Sequence, residues 1–243
     1  ADGTIVTGGI ALGTTNNVEH FSDILAVMLL QNGADLQNPT STEAQEALAF
    51  YRLFAEEPNN VWDDSQDNSI HAFANEKVGM IIAPSWEIHT IQALNPDISF
   101  GVIAIPQLPG ANISWASYWV EGVSVQSKHP TEAWHFLKYL SGRDALVQLY
   151  SEASKVRTFG EPYPRPDLAD TLATDPFLAA YVEQAPLARS FFLASRTFDN
   201  GINDRLIKYL EDAVNSLALG VAPSEATDTM AKGFSEVLTE FGL

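Results

Sequence analysis

Four stretches of this sequence carry side chains of the kind that grip a polar ligand with an apolar face. In "KVGMIIAPSWEIHTIQAL", residues 77–94, Val78, Met80, Ile81 and Ile82 form an apolar run that Pro84 stops. Ser85 is then placed to cap a helix bearing Ile88, Ile91 and Leu94. Trp86 therefore stands at the carboxyl end of a strand, the edge at which open α/β sheets bind ligands. Its indole either seals the core under the helix or offers a platform to a flat molecule. In "SYWVEGVSVQS" the alternation of a strand puts Trp119 and Glu121 on one face and Tyr118 and Val120 on the other. Either face is a candidate for core. "TTNNVEHFSD" precedes a helix and supplies an amide (Asn17), a carboxylate (Glu19) and an imidazole (His20), although Asn16, Asn17 and Ser22 serve equally as helix caps. "SRTFDNGINDRL" brings Arg196, Asp199 and Asn203 ahead of a long helix; Arg196 is equally suited to pairing with a structural carboxylate.

Other chemistries lack their residues. The chain of 243 residues has no cysteine, which removes disulfides, thiolate metal sites and cysteine nucleophiles. His71, His89, His129 and His135 show no metal spacing, and "DDSQDN" lacks the glycine and terminal glutamate of a calcium loop. There is no nucleophile elbow, phosphate loop or dinucleotide fingerprint. No metal and no cofactor are expected. Thirteen basic residues against 31 acidic give a net charge of −18, which repels phosphate backbones and anionic lipid. Nucleic acid is not an expected partner.

The elements that must position these residues alternate between strand and helix, the pattern of an α/β protein. "GTIVTGGIAL" reads as a strand. A helix follows with Phe21, Ile24, Leu25, Met28 and Leu29 on one face, ending at Asn32-Gly33. "NPTSTEAQEALAFYRLFAEE" reads as a helix capped by Ser41 or Thr42, with Ala44, Ala47, Leu48, Tyr51, Phe54 and Ala55 inward. An acidic loop, "NNVWDDSQDN", and a short helix lead to the strand before Trp86. "ISFGVIAIPQLPG" reads as a further strand, so that a mostly parallel sheet, flanked by helices, would contain residues 78–83 and 100–105. Pro130 opens a helix with Ala133, Trp134, Leu137 and Leu140, and helices are predicted near 175–187, 202–219 and 224–241. No apolar run reaches the ~20 residues of a membrane span, and "ADGTIVTGGIALG" is not a signal peptide.

The ordered series "STEAQEALAFYRLFA", "FANEKVGMIIAPSW", "FGVIAIPQLPG" and "YWVEGVSVQSKHPTEAWHFLKYLSG" resembles the extracellular solute-binding proteins of ABC importers, in the maltose-binding-protein-like, sugar-binding branch. The resemblance runs across nearly the whole chain. Glu76 stands where the family usually has glycine, and "YWVEG" replaces a more glycine-rich stretch.

The resemblance implies a periplasmic-binding-protein-like type II fold. It also implies that residues 1–243 are the carboxyl-terminal portion of a two-lobed receptor, with about 122–166 returning to the amino-terminal lobe. The function it implies is capture of a mono- or oligosaccharide and delivery to a membrane permease by hinge closure, without catalysis. The implied location is extracellular or periplasmic, with anchoring through an amino-terminal signal or lipid anchor. On this reading Trp86 stacks on a sugar ring, Trp119 and Glu121 line the cleft at a crossing strand, and His20 falls near a sugar-contacting position, counted back from "NGADL". Asn17, Arg196, Asp199 and Asn203 complete the expected contacts. Two other readings stand beside it. One is a glycosidase using Glu87 and Glu121, which would need them about 5–9.5 Å apart across a groove. The other is a surface protein that keeps the fold without a ligand.

Overall fold

A computed structural model of the chain describes residues 4–58 and 60–243. The first residue of the predicted opening strand, Gly3, and one residue of the acidic loop, Asn59, lie outside them. In chain order the elements are β1 (Gly8–Ile10), α1 (Phe21–Asn32), α2 (Thr42–Leu53), α3 (Ser69–Ala74), β2 (Val78–Met80), α4 (Glu87–Leu94), β3 (Ser114–Trp115), α5 (Pro130–Leu140), α6 (Arg143–Ala153), α7 (Ala179–Gln184), β4 (Ala188–Arg189), α8 (Ile202–Ala218) and α9 (Pro223–Glu240). They fall into two units. The first takes the chain to Phe100 with Ile105–Ser117 and Leu187–Leu243; the second takes Gly101–Ala104 and Tyr118–Pro186.

In the first unit β1 and β2 run parallel, with Gly8 opposite Val78 and Ile10 opposite Met80. Gly8 is required there, because a Cβ would sit 2.9 Å from the Trp62 ring. β3 and β4 form a second parallel pair, Ser114 opposite Ala188 and Trp115 opposite Arg189. The core lies among helices rather than on a broad sheet. Leu25 and Leu29 of α1, Leu48 and Tyr51 of α2, Leu206, Leu210 and Val214 of α8 and Phe234 and Val237 of α9 close around Trp62 and Val78.

Local signals produced the expected start of α2 and end of α1. Ser41 accepts the amide of Ala44 at the start of α2, and Gly33 closes α1 in the left-handed conformation (φ 94°) that costs glycine nothing. α1 is buried more widely than a single stripe: Ile24, Leu25, Ala26 and Val27 are all inside, because neighbours pack on several sides of it.

The sheet is smaller than the sequence predicts. β2 ends at Met80, and residues 100–105 join no ladder. Phe100 instead meets Phe73 edge-on at 5.6 Å and packs with Ile70, Ala74, Ile91 and Ile98. An apolar run makes a strand only where another strand meets its amides. The fold class stands on the α/β order and the parallel pairings.

In the second unit Ala145, Phe159, Leu168, Leu172 and Leu178 are buried, while Trp134, Phe136 and Tyr139 of α5 are exposed. The segment around "SYWVEG" joins no strand pair among the described residues, so strand alternation assigns it no inner face. Tyr118, Trp119, Val120 and Glu121 are all exposed.

Candidate functional site

The site is built where α1 and α4 begin and the loop before α8 ends. β2 delivers the chain to Trp86, which occupies the residue before α4 in helical conformation (φ −68°, ψ −22°). The expected Ser85 cap is not made: α4 starts at Glu87 without a side-chain cap, and Ser85 contributes only its carbonyl, to the amide of Ile88. The Trp86 indole is half-buried and meets the His20 ring edge-on, centroids 6.2 Å apart.

His20, just ahead of α1, is buried. Its Nε2 lies 3.1 Å from Glu87 Oε1 and its Nδ1 2.7 Å from Ser195 Oγ, with Asp23 Oδ2 at 3.8 Å. Since a carboxylate only accepts, Nε2 carries a proton toward Glu87. Burial works to lower the His20 pKa, but the hydrogen bonds and charges of Asp23 and Glu87 outweigh it and raise the pKa above the ordinary 6.5. For Glu87 burial works upward, and the bonds from His20 and Thr90 with the charges of His20 and Arg196 reverse it, so its carboxyl is held below the ordinary range.

Arg196 reaches over this pair from the loop before α8. Its Nη1 is 2.7 Å from Glu19 Oε1 and 3.9 Å from Glu87 Oε1. Glu19 is fixed in turn: Asn68 donates to its Oε2, and its own amide donates to Ser69 Oγ. The Arg196 side chain is 46% exposed against 4% for Glu87, so the guanidinium is the solvent-facing group of the pair. Asp23 ties the floor together, accepting Trp115 Nε1 at 2.7 Å and the Ser195 amide at 3.1 Å.

His20, Trp86 and Arg196 are thus brought together. Three other expected contacts are committed to the protein itself. Asn17 accepts from Trp62 Nε1 and the Thr14 hydroxyl and donates to the carbonyls of Asp63 and Gln66, so it fastens two loops and has no amide atom to spare. Asp199 accepts the amide of Gly201 and the side chain of Asn203 at the start of α8. Burial works to raise its pKa, and those bonds, with the amides of Asp204 and Asn203, lower it. Asn203 also accepts the amide of Ala194, bracing the loop that carries Arg196. Trp119 and Glu121 lie in the second unit.

Sequence reasoning missed Glu87 as a partner of His20, and missed Asp23, Ser195 and Trp115 altogether. A carboxylate in the first turn of α4 reads as a helix-end charge, and nothing local pairs it with a histidine 67 residues away. Backbone conformation marks the loop instead: Arg196, Phe198 and Asn200 have φ of 59°, 48° and 46°. Such values in bulky residues mark places where the surroundings enforce an uncommon conformation. Among the described residues no group of histidine, aspartate and glutamate is placed to hold a metal ion.

The structure is similar to a solute-binding protein of an ABC transporter from Thermotoga lettingae bound with α-D-tagatose (TM-score 0.72, 23% identity, 98% of this chain and 61% of that one). It is similar also to a cyclo/maltodextrin-binding protein complexed with maltotetraose (0.71, 18%, 96% and 60%). The sugar-binding protein MalE of Xanthomonas citri matches at 0.68 with 16% identity, over 99% of this chain and 60% of that one. The chain therefore spans about three-fifths of the solved structures it matches, and at these identities the likeness speaks to the fold. No curated protein sequence matches it. The sequence profile of the bacterial extracellular solute-binding proteins matches residues 6–179, and the chain belongs to that family.

Proposed function

We propose that this protein is the carbohydrate-binding component of an ABC importer, taking up a mono- or oligosaccharide outside the cytoplasm and passing it to a membrane permease. The observation that carries the reading is the half-buried Trp86 indole edge-on to the His20 ring, whose partner Glu87 lies 3.9 Å from the Arg196 that pairs with Glu19. An indole takes the apolar face of a sugar ring, while a guanidinium and a carboxylate serve its hydroxyls. Proteins of the same fold hold tagatose and maltotetraose, which supports this ligand class.

Catalysis by Glu87 is disfavoured on geometry. Its carboxylate is buried and engaged by His20 Nε2 at 3.1 Å, so it does not face a ligand in the open. Capture by closure fits better. In that mechanism a ligand binds the closed state more tightly than the open one and shifts the population toward it, and the permease reads the change.

The same reading makes this chain the carboxyl-terminal portion of a two-lobed receptor, with about 122–166 belonging to the other lobe. The coverage of about three-fifths of the matched structures supports it, as does the grouping of Tyr118–Pro186 into a unit of its own. A receptor that draws affinity from both walls of a cleft loses about a thousandfold with ~4 kcal/mol of contacts.

The test is calorimetry with a panel of sugars on three proteins: this chain, the chain extended by the preceding lobe, and the extended protein with Trp86→Ala. The extended protein is expected to bind, the present chain to bind poorly, and Trp86→Ala to weaken binding with little loss of fold. Failure of every sugar to bind the extended protein would overturn the carbohydrate reading.

A further inference from the structure

We infer that His20 is a positioning residue: its imidazolium takes over the charge of Glu87 and Asp23, and this leaves Arg196 to Glu19 and to the ligand. The inference rests on the reading of Arg196 as a ligand contact.

The site holds three carboxylates and two cationic groups. Asp23 faces His20 from α1, Glu87 from α4 and Ser195 from the loop before α8, which also brings Arg196 to Glu19, ahead of α1, and toward Glu87. Arg196 Nη1 has two candidate partners and is 2.7 Å from Glu19 but 3.9 Å from Glu87. Glu87 is the more deeply buried of the two, at 4% against 17%, and would attract a cation more strongly if its charge stood alone. It does not stand alone, because His20 Nε2 is 3.1 Å from the same oxygen. The preference of Arg196 for the more exposed carboxylate is therefore set by His20.

The histidine titrates at its other nitrogen. With the Nε2 proton fixed toward Glu87, loss of the second proton from Nδ1 turns that atom into an acceptor of the Ser195 hydroxyl at 2.7 Å. Hydrogen bonds survive, and the positive charge does not. Among the described residues Arg196 is then the counter-charge left near Glu87. Its guanidinium is expected to swing inward, away from Glu19 and from the solvent-facing position. Ser195 reports the same event, since its hydroxyl changes role while its amide stays on Asp23.

Nuclear magnetic resonance on the 243-residue chain tests this without any ligand. As the His20 ring is titrated, the Arg196 Nε–H and the amides of Ser195 and Arg196 are expected to shift with the midpoint of the ring. In Glu87→Gln that midpoint should fall and the Arg196 signal should cease to follow it. A ring that titrates while Arg196 and Ser195 stay flat would overturn the inference. In the extended receptor, sugar affinity should weaken about fivefold or more as pH rises through the His20 midpoint. The affinity of His20→Gln should be flat across that range; an equal pH dependence in the variant would also overturn it. Should His20→Gln fail to fold, the wild-type titration decides alone. Absence of any sugar binding would strike the carbohydrate reading, while the resonance titration would still decide the role of His20.

Discussion

His20 Nε2 and Glu87 Oε1 stand 3.1 Å apart, with both side chains almost wholly out of solvent. A pair this deep cannot shed its charges into water, so removing one member leaves the other stranded. Glu87→Ala is expected to cost about 3 kcal/mol, read as a lower midpoint of urea unfolding.

The pair also fixes a pH window. His20 has its pKa raised from 6.5, so its contribution is complete below that value and is lost as pH climbs through the raised pKa. Glu87 has its pKa lowered from 4.5, so its contribution is present above that value and is lost as pH falls through the lowered one. Their joint contribution is therefore greatest between about 4.5 and 6.5. Thermal scans across pH should show the wild type losing stability on the alkaline side of that window relative to His20→Gln. Parallel curves would mean that the ring carries no extra charge.

The backbone of Arg196 separates its two roles. Glycine accepts a φ of 59° freely and alanine does not, so Arg196→Gly should be more stable than Arg196→Ala by about 1 kcal/mol, although both lack the guanidinium. Chemical denaturation of the two variants measures the difference. In the extended receptor both should lose sugar binding alike.

Asn17→Ala is expected to destabilise by about 2 kcal/mol, because Trp62 Nε1 and the carbonyls of Asp63 and Gln66 lose a shared partner inside the protein. Sugar affinity of the folded, extended variant should be unchanged. A loss of affinity without a loss of stability would return Asn17 to the ligand site.

Helix α9 lies against α8 so closely that a Cβ on Gly233 would fall 2.3 Å from the Tyr209 ring. Gly233→Ala should therefore cost about 2 kcal/mol through crowding, despite the better helix propensity of alanine. Adding Tyr209→Ala should relieve the crowding, and a double-mutant cycle gives the coupling.

What the sequence by itself determined is whatever depends on neighbours along the chain. Ser41 had an amide three residues on to accept, and Gly33 could turn left where other residues resist. Trp86 had to follow an apolar run and a proline, which put it between β2 and α4 before any packing was known. Residues 100–105 mark where such signals stop: their apolar run is that of a strand, but a ladder needs a second strand, and none meets them among the described residues.

Only the tertiary structure decided the roles within the site. His20, Asn17 and Glu19 sit within four positions of one another and carry equally plausible polar groups. One is turned onto Glu87 and onto Ser195, 175 residues away; one is spent on Trp62; one is left to Arg196. The spacing of polar residues says which groups are near the edge of the sheet. Which of them faces inward depends on what arrives from distant parts of the chain, because a buried polar atom goes wherever packing supplies its partner.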